Sequence, residues 1–396
     1  MCSFNMNGKP SEKKLFSITF SFFLLISFCC SSQNDANNHQ KNMKKEVQYI
    51  KNSDNGVWNN TKIMKLEQII AIGIAEGDSN YLLVQPIAVT VDDDENIYVC
   101  DKGDNKIKVY SKDGQFLKSI GRKGGGPGEL IHPYLLGLTN NDQLVVIDNQ
   151  RRANFYSLNA KFLSSFNIKE GRPYSIFCDK KQKKIYLTFL IFPFVSDADQ
   201  YSKMIFSYNL SGKNISSFGK LFLMGKASSG RQYSSAYVSG DVSNKLFLVF
   251  ENLYRIEIYN SDEKLESVIE RDANFFPKPE LVELSVPVKM LLTRSEIKAI
   301  NFFPDGKFLL TIFDKGEAFA ADYKNYSRNP NAIPDQFKVH YDLFDSEGHF
   351  LQSFLANFKE FGVIAHIDFK GYVYTVSSPD QIPVVRKYQL SFVNKK

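Results

Sequence analysis

The stretch Pro86–Pro133 reads PIAVTVDDDENIYVCDKGDNKIKVYSKDGQFLKSIGRKGGGPGELIHP. Turns rich in Asp, Asn and Gly separate four short apolar runs, which are Ile87–Val91, Ile97–Cys100, Ile107–Tyr110 and Phe116–Ile120. Short apolar runs that alternate with such turns predict a meander of four antiparallel strands. Weaker copies follow to the end of the chain, and a tandem unit of about 40 residues with four strands predicts a β-propeller.

The number of copies predicts an all-β fold with six four-stranded antiparallel blades. Later units open near His132, Arg172, Ala236, Ile297 and Val363. The sixth unit has only three strands, whereas a spare strand, Lys62–Ile72, precedes the first unit. Because an open sheet edge exposes unpaired backbone groups, we expect this N-terminal strand to complete the last blade and close the ring.

The N-terminus predicts export. Lys13 and Lys14 precede an apolar run, Leu15–Phe28, that is too short to span a bilayer, and a polar tract follows it. This is the pattern of a secretory signal peptide. The run ends at two cysteines and resembles a bacterial lipoprotein signal. Cys30 fits lipidation better than Cys29, because the residue before the cut should be small and Phe28 is large.

These features divide the chain into a signal peptide (1–29), a polar flexible linker (30–46) and a propeller (47–396). They predict a protein anchored by lipid in the bacterial envelope, with the outer membrane favoured. A plain signal peptide and a secreted protein are the alternative.

Val99–Gly121 contains YVCDKGDNKIKVY and DGQFLKSIG and closely resembles an NHL repeat. From Lys62 onward, the chain resembles the six-bladed TolB-like propeller lipoproteins of Bacteroidetes-type bacteria. The likeness is strong in the first unit, and from the third unit it persists mainly as strand-and-turn rhythm. The resemblance implies a fold and a localisation in the cell envelope. It implies no activity, since most members of that family have none assigned.

Strand order gives the predicted disc two faces. The first-to-second and third-to-fourth connections are tight turns and share one side, the tight-turn face. Inter-blade links and second-to-third connections share the other side, the long-loop face. All the long segments fall there: Gly121–Pro133, Leu190–Lys203, Arg271–Ser295 and Asp314–Phe337. Insertions that accumulate by neutral sequence drift would be scattered over both faces. Their restriction to one face therefore predicts that the long-loop face binds a partner or ligand.

Candidate ligand-binding residues lie on this face in the first three blades. The cations are Arg122, Lys123, Arg151, Arg152 and Arg172, the acids are Asp101, Asp104 and Asp148, and the aromatics are Tyr134 and Tyr174. A positive patch with flanking tyrosines suits an acidic or polar ligand, such as a carboxylated sugar or peptide. The alternative is a solvated rim whose charges compensate one another.

Residues for catalysis are sparse. Of five histidines, only His132 and His366 fall near inner strands, four blades apart, whereas a catalytic zinc needs about three ligands. Asp368 is a candidate calcium ligand, but no complete ligand set accompanies it. The sequence has no nucleophile elbow or phosphate-binding loop. Cys100 and Cys178 fall on different blades, so we expect buried free thiols.

The sequence therefore predicts a non-enzymatic, monomeric binding propeller without cofactor or metal. Its partner would be a protein or a polar or acidic small ligand on the long-loop face. The formal net charge of +6 is too mild to indicate nucleic-acid binding. The alternative, which the resemblance implies, is a metal-dependent lactonase-like or lyase-like enzyme with its site at the central channel.

Overall fold

The structure is a computed structural model. It describes residues 46–139, 142–190, 203–227, 230–241, 243, 245–278, 280–283, 289–292, 295–316, 338–356, 361–377 and 382–395. Val47–Lys396 form one compact unit. Its first two strands, β1 (Gln48–Asn52) and β2 (Lys62–Ile72), join blades that are otherwise formed much later in the chain.

Three blades of consecutive antiparallel strands follow. Blade 1 contains β3 (Pro86–Val91), β4 (Ile97–Asp101), β5 (Lys106–Tyr110) and β6 (Phe116–Ile120). Blade 2 contains β7 (Leu135–Leu138), β8 (Gln143–Ile147), β9 (Arg152–Ser157) and β10 (Phe162–Asn167). Blade 3 contains β11 (Pro173–Asp179), β12 (Lys184–Phe189), β13 (Lys203–Asn209) and β14 (Asn214–Lys220). A separate hairpin comes next, β15 (Leu223–Ala227) and β16 (Gly230–Tyr233).

The second half of the ring repeats this plan. Blade 4 contains β17 (Ala236–Gly240), β18 (Leu246–Phe250), β19 (Arg255–Tyr259) and β20 (Leu265–Arg271). A second hairpin, β21 (Glu280–Glu283) and β22 (Lys289–Leu292), leads to blade 5. Blade 5 contains β23 (Ser295–Phe302), β24 (Phe308–Asp314), β25 (Lys338–Phe344) and β26 (Phe350–Ala356). Blade 6 contains β27 (Val363–Ile367), β28 (Val373–Ser377), β29 (Val384–Asn394) and β2.

The N-terminal strand closes the ring, and the predicted fold class is confirmed. β2 pairs antiparallel with β29, in a register that runs from Lys62 opposite Asn394 to Ile72 opposite Val385. One sheet therefore unites the first and last parts of the propeller. This pairing removes the open edge that β29 would otherwise present.

The tight turns are stabilised by an aspartate whose carboxylate accepts hydrogen bonds from backbone N–H groups of the same turn. In the β3–β4 turn, Asp92 Oδ1 accepts hydrogen bonds from the backbone N–H groups of Asp94 and Asn96 at 3.1 and 2.8 Å. Its Oδ2 accepts a bond from the Tyr98 hydroxyl. Asp368 makes the same set of bonds in the β27–β28 turn. Such bonds to the residue's own turn are the reason why Asp-rich clusters mark turns in this sequence.

The core lies between the blades, because the second strand of a blade is buried on both sides. In β4, Tyr98 and Cys100 pack toward blade 2, whereas Ile97 and Val99 pack toward blade 6. Successive side chains of a strand point to opposite faces, so a continuous apolar run fills two interfaces. Among the described residues there are six such apolar clusters, one between each pair of neighbouring blades.

Three elements were not anticipated. β1 adds a fifth strand to blade 4, parallel to β20, and two hairpins, β15–β16 and β21–β22, lie within inter-blade links. From β1 the chain crosses to blade 5, where the N–H groups of Val57 and Trp58 bond the carbonyls of Phe350 and Leu351 at 3.0 Å. We call residues 46–72 the N-terminal belt.

Cys100 and Cys178 are free thiols as predicted, although Cys178 is only half-buried.

Candidate functional site

The observed strand order makes the two faces of the disc unlike. Neighbouring strands within each blade are antiparallel, so inter-blade links and second-to-third connections leave on the same side. Both additional hairpins belong to inter-blade links and therefore to the long-loop face. Of the predicted long segments, Gly121–Pro133 is described throughout, whereas residues 191–202 and 317–337 lie outside the described residues.

Several predicted cations are exposed on this face. The Arg122 side chain is 77% exposed and its guanidinium lies 3.0 Å from the Glu129 carboxylate. Lys123 and Arg151 are exposed as well. These three side chains remain accessible to an approaching ligand.

Arg172 is held in place by an aromatic neighbour. Its guanidinium lies over the Tyr134 ring, 5.4 Å from the centroid, and Arg172 itself is exposed. The Tyr134 hydroxyl donates to the Pro173 carbonyl at 3.1 Å. Burial raises the pKa of Tyr134 to about 12, against the opposing effect of Arg172. The Arg172 guanidinium and the Tyr134 ring therefore form a cation–π pair at this site.

Arg152 and Asp148 were predicted to belong to the ligand-binding patch, but both are buried and do not form part of it. The Arg152 guanidinium donates to the carbonyls of Gly125 and Glu129 at 2.8 and 2.6 Å and to Asp148 Oδ2 at 3.1 Å. Asp148 is wholly inaccessible. The pair fastens the Gly121–Pro133 link to blade 2 and offers no surface to a ligand.

Asp101 is also structural. Its carboxylate is wholly buried and accepts the backbone N–H groups of Val84 and Gln85 at 3.0 and 2.8 Å. Asp104 is partly exposed and lies 3.4 Å from the Lys108 ammonium. The sequence placed these acids after a strand end but could not indicate which way their side chains turn.

Tyr174 belongs to a group that sequence reasoning missed, at the mouth of the central channel. Its hydroxyl lies 2.9 Å from that of Tyr237, and the two ring centroids are 4.9 Å apart. Both are the second residue of an inner strand, in blades 3 and 4. Glu296 holds the same position in blade 5. This shared position was the signal that could have found them.

Charged side chains complete this group, which we call the channel-mouth cluster. The Lys298 ammonium lies 2.7 Å from Glu251 and 2.6 Å from Glu296. Lys315 also pairs with Glu296. Glu251 and Lys315 directly follow β18 and β24, so the cluster lies on the long-loop face. Its members are Tyr174, Tyr237, Glu251, Glu296, Lys298 and Lys315.

The electrostatics of the cluster fix its ionisation. Burial alone would raise the pKa of Glu296, but Lys298 and Lys315 outweigh it and lower that pKa to about 2. Burial would likewise lower the pKa of Lys298, but Glu251 and Glu296 raise it above the ordinary range of lysine. Burial raises the pKa of the Tyr174 and Tyr237 hydroxyls. At neutral pH the cluster therefore holds charged ion pairs beside neutral hydroxyls.

The opposite mouth of the channel is bridged. Lys180 in the β11–β12 turn of blade 3 lies 3.1 Å from Asp93 in the β3–β4 turn of blade 1. These blades are not neighbours, because blade 2 lies between them. His366 on β27 is half-buried. Its pKa is lowered to about 4, mainly by burial, with Lys180 contributing. The tight-turn mouth is thus crossed by a side-chain bridge.

Potential metal ligands within the described residues gather at one turn. Carboxylate and imidazole atoms of Asp345, Glu347 and His349 lie within 4.8 Å of one another. Asp345 is the turn residue that accepts the N–H groups of the other two, so the turn itself accounts for the group. His132 is exposed on an inter-blade link. Asp368, the candidate calcium ligand, is committed to its own turn and to Tyr374.

Cys30 and the rest of residues 1–45 lie outside the described residues. Lipidation at Cys30 therefore stays a prediction. In the described part of the chain, no helix combines the length and apolar character needed to cross a bilayer.

The DUF5128 family model, described as a six-bladed β-propeller, matches residues 37–331, so the chain belongs to this family. No curated protein matches the sequence.

Two solved structures share the fold. A Bacteroides vulgatus member of the DUF4221 family aligns with a TM-score of 0.59 and 10% identity, over 85% of this chain and 99% of its own. A Bacteroides fragilis protein assigned as exported aligns with a TM-score of 0.52 and 10% identity, over 89% and 100%. A virginiamycin B lyase from Staphylococcus aureus aligns less well, with a TM-score of 0.46 and 12% identity over 83% of this chain and 100% of its own. Identities this low show the fold alone.

Proposed function

We propose that this propeller is an exported, lipid-anchored binding protein whose long-loop face takes an acidic segment of a partner protein or another acidic ligand. The observation that supports the proposal is that the features suited to binding lie on the same face of the propeller. The described long connection Gly121–Pro133, both hairpins, the exposed cations and the channel-mouth cluster share one face. A rigid scaffold with its variable segments on one side is the usual arrangement of a binding surface.

The exposed cations supply the attraction for an acidic group. Arg122, Arg151 and Arg172 carry planar guanidinium groups, which bind carboxylates through two parallel hydrogen bonds. Arg172 is already ordered on Tyr134, so less conformational entropy is lost when it binds. Lys123 adds a fourth charge beside Arg122.

The channel-mouth cluster supplies a rigid polar floor. Its cations, Lys298 and Lys315, pair with Glu251 and Glu296, so the charges within the cluster offset one another. The long-range attraction for an acidic partner therefore comes from the surrounding arginines. The tyrosine hydroxyls and the ion pairs would fix the orientation of whatever enters the mouth.

The proposed localisation depends on the leader and on Cys30, and it agrees with the description of the Bacteroides fragilis structure as an exported protein. Fractionation of cells that express wild-type and Cys30→Ala protein tests it. We expect the wild type in the membrane fraction and the variant outside it. Equal membrane retention of both proteins would contradict anchoring at this cysteine.

Binding can be tested with a short fluorescein-labelled polyglutamate peptide and fluorescence anisotropy. The test variant combines Arg122→Gln, Arg151→Gln and Arg172→Gln. Exposed pairs contribute up to about 1 kcal/mol each, so the triple change should weaken binding by about tenfold or more. Added salt should weaken binding to the wild type.

The matched control combines Lys112→Gln, Lys161→Gln and Lys264→Gln, three exposed lysines on the tight-turn face. It removes the same net charge from the other side. Similar losses in both variants would mean that the peptide responds to overall charge, and the long-loop face would lose its role.

A further inference from the structure

A groove of about 480 Å³ lies between blades 5 and 6 on the opposite side of the disc from the long loops. The β23–β24 and β27–β28 turns line it, together with β29 and the belt residue Trp58. It shares no residue with the channel-mouth cluster or with the exposed arginines. Its chemistry is therefore independent of the proposed function.

The floor of the groove is aromatic and rigid. Trp58, the single tryptophan of the chain, meets Phe392 edge to face with centroids 5.4 Å apart. Phe303 also meets Phe392 edge to face, with centroids 6.4 Å apart. The backbone of Trp58 is fixed by bonds to Leu351 and Thr61. Trp58 is half-buried, so part of its side chain remains in contact with solvent.

The rim of the groove is cationic. The Lys62 ammonium lies 5.8 Å from the centroid of the Trp58 ring. Lys307 and Lys370 project from the two turns, and their side chains are 35% and 48% exposed. Lys370 pairs with Glu95 of the β3–β4 turn, a residue that does not line the groove. Asp305, which pairs with Lys307, is the one acid among the lining residues. The lining therefore carries an excess of positive charge.

We infer that this groove binds an acidic saccharide. A sugar ring presents C–H groups that pack on an aromatic face such as Trp58. The lysines would bind its carboxylate, and Asp305 and Gln389 would bond its hydroxyls. Lys307 and Lys370 keep N–H donors beyond their pairs with Asp305 and Glu95. A neutral sugar would gain nothing from the positive charge of the rim, and a simple anion would gain nothing from the aromatic floor. The combination of floor and rim selects a ring that bears a carboxylate.

The single tryptophan makes the groove directly observable. Fluorescence excited at the red edge, where tyrosine does not absorb, reports only on Trp58. Titration of the full-length protein with sodium glucuronate or a short oligogalacturonate should give a saturable change in intensity or wavelength. Glucose and sodium acetate, which each carry half of the recognised chemistry, should give at least tenfold weaker responses.

The test variant combines Lys307→Gln with Lys370→Gln and should weaken glucuronate binding by about tenfold. A double variant, Lys112→Gln with Lys161→Gln, removes the same two charges from exposed turns of blades 1 and 2, and this control of matched charge should bind as the wild type does. Overturning results would be no saturable change, equal responses to glucose or acetate, or a response to anionic lipid vesicles in place of glucuronate.

The two proposals can fail separately. The polyglutamate experiment observes a labelled peptide and changes residues of the long-loop face. The saccharide experiment observes Trp58 and changes residues of the opposite face. Loss of one response with the other intact identifies which proposal is wrong.

Discussion

Blades 1–3 and blades 4–6 are the same four-stranded meander, but their outer edges differ. In the second half, the N-terminal belt lies against or supplies each outer strand: β1 beside β20, Val57 and Trp58 against β26, and β2 outside β29. In the described part of the chain, β6, β10 and β14 have no further strand on their outer side. One half is thus held by contacts local in sequence, and the other by the opposite end of the chain.

The buried ion pairs show the same division. In blade 2, Arg152 binds Asp148, four residues away. In the second half, Arg271 at the end of β20 binds Asp342 on β25 of the next blade. Arg271 also donates to the carbonyl of Asp54 in the belt at 3.0 Å. This guanidinium therefore joins two blades and the belt at one point.

Asp342→Ala should give the largest effect. Asp342 is wholly buried and accepts bonds from both Arg271 and Tyr254, so its loss leaves a buried cation without its main partner. Removing one member of a buried pair costs about 3–5 kcal/mol of unfolding free energy. Urea denaturation measures the loss. Hydrogen exchange should also show faster exchange in β1, because Arg271 would no longer be held against the belt.

Asp148→Ala is the matched control in the first half of the ring. It should lower the unfolding free energy by a similar amount, since Asp148 is equally buried and paired. Hydrogen exchange of β1 should stay as in the wild type under native conditions. If Asp342→Ala leaves the exchange of β1 unchanged, the belt is not fastened through Arg271 and the two halves differ less than the contacts indicate.

The same contrast explains what the sequence could reveal. Turns such as that of Asp92 contain their own hydrogen-bond partners, so the meander and the blade count were predictable. β2 was predictable from its strong alternation and from the strand missing in blade 6. β1 was not, because it becomes a strand only beside β20, a partner more than two hundred residues away. Non-local pairing leaves little trace in a local pattern.

The candidate site divides in the same way. Position after a strand end correctly suggested loop residues such as Arg122 and Arg172. It could not separate them from Arg152 and Asp101, whose side chains turn inward to satisfy backbone carbonyls and N–H groups. Lys298 was missed because its partner Glu251 lies in another blade. Side-chain direction and partners between blades are decided by packing, which no short motif records.

The pH dependence of stability at His366 tests whether this side chain is buried at the tight-turn mouth of the channel. This histidine of blade 6 has its pKa lowered to about 4, mainly by burial, against the opposing charge of Asp368 and with a smaller contribution from Lys180 of blade 3. The unfolded chain, with a pKa near 6.5, takes up the proton first. Stability should therefore fall as the pH drops from about 6.5 to 4, and His366 should have no such effect above that range.

The His366→Gln protein should lack this part of the acid sensitivity. A shift of this size corresponds to about 2–3 kcal/mol at the low end of the window. Unfolding free energies of wild type and variant, measured by urea at several pH values, give the difference. Parallel pH profiles for the two proteins would show that His366 is accessible to solvent in the folded state.

The smallest expected effect lies at the outer edges. The second residue of the outer strand is 48% exposed at Leu117, 41% at Leu163 and 48% at Ile215, but only 6% exposed at Leu351, where the belt passes. Leu163→Thr should change the unfolding free energy by no more than about 0.5 kcal/mol, because little apolar surface is buried there. Leu351→Thr should cost about 2 kcal/mol or more, since it removes a buried side chain of the same type. Urea denaturation of both variants measures how much the belt contributes beyond strand pairing. Equal losses of unfolding free energy would mean that the belt covers blade 5 without stabilising it. The two halves of the ring would then differ in structure but not in stability.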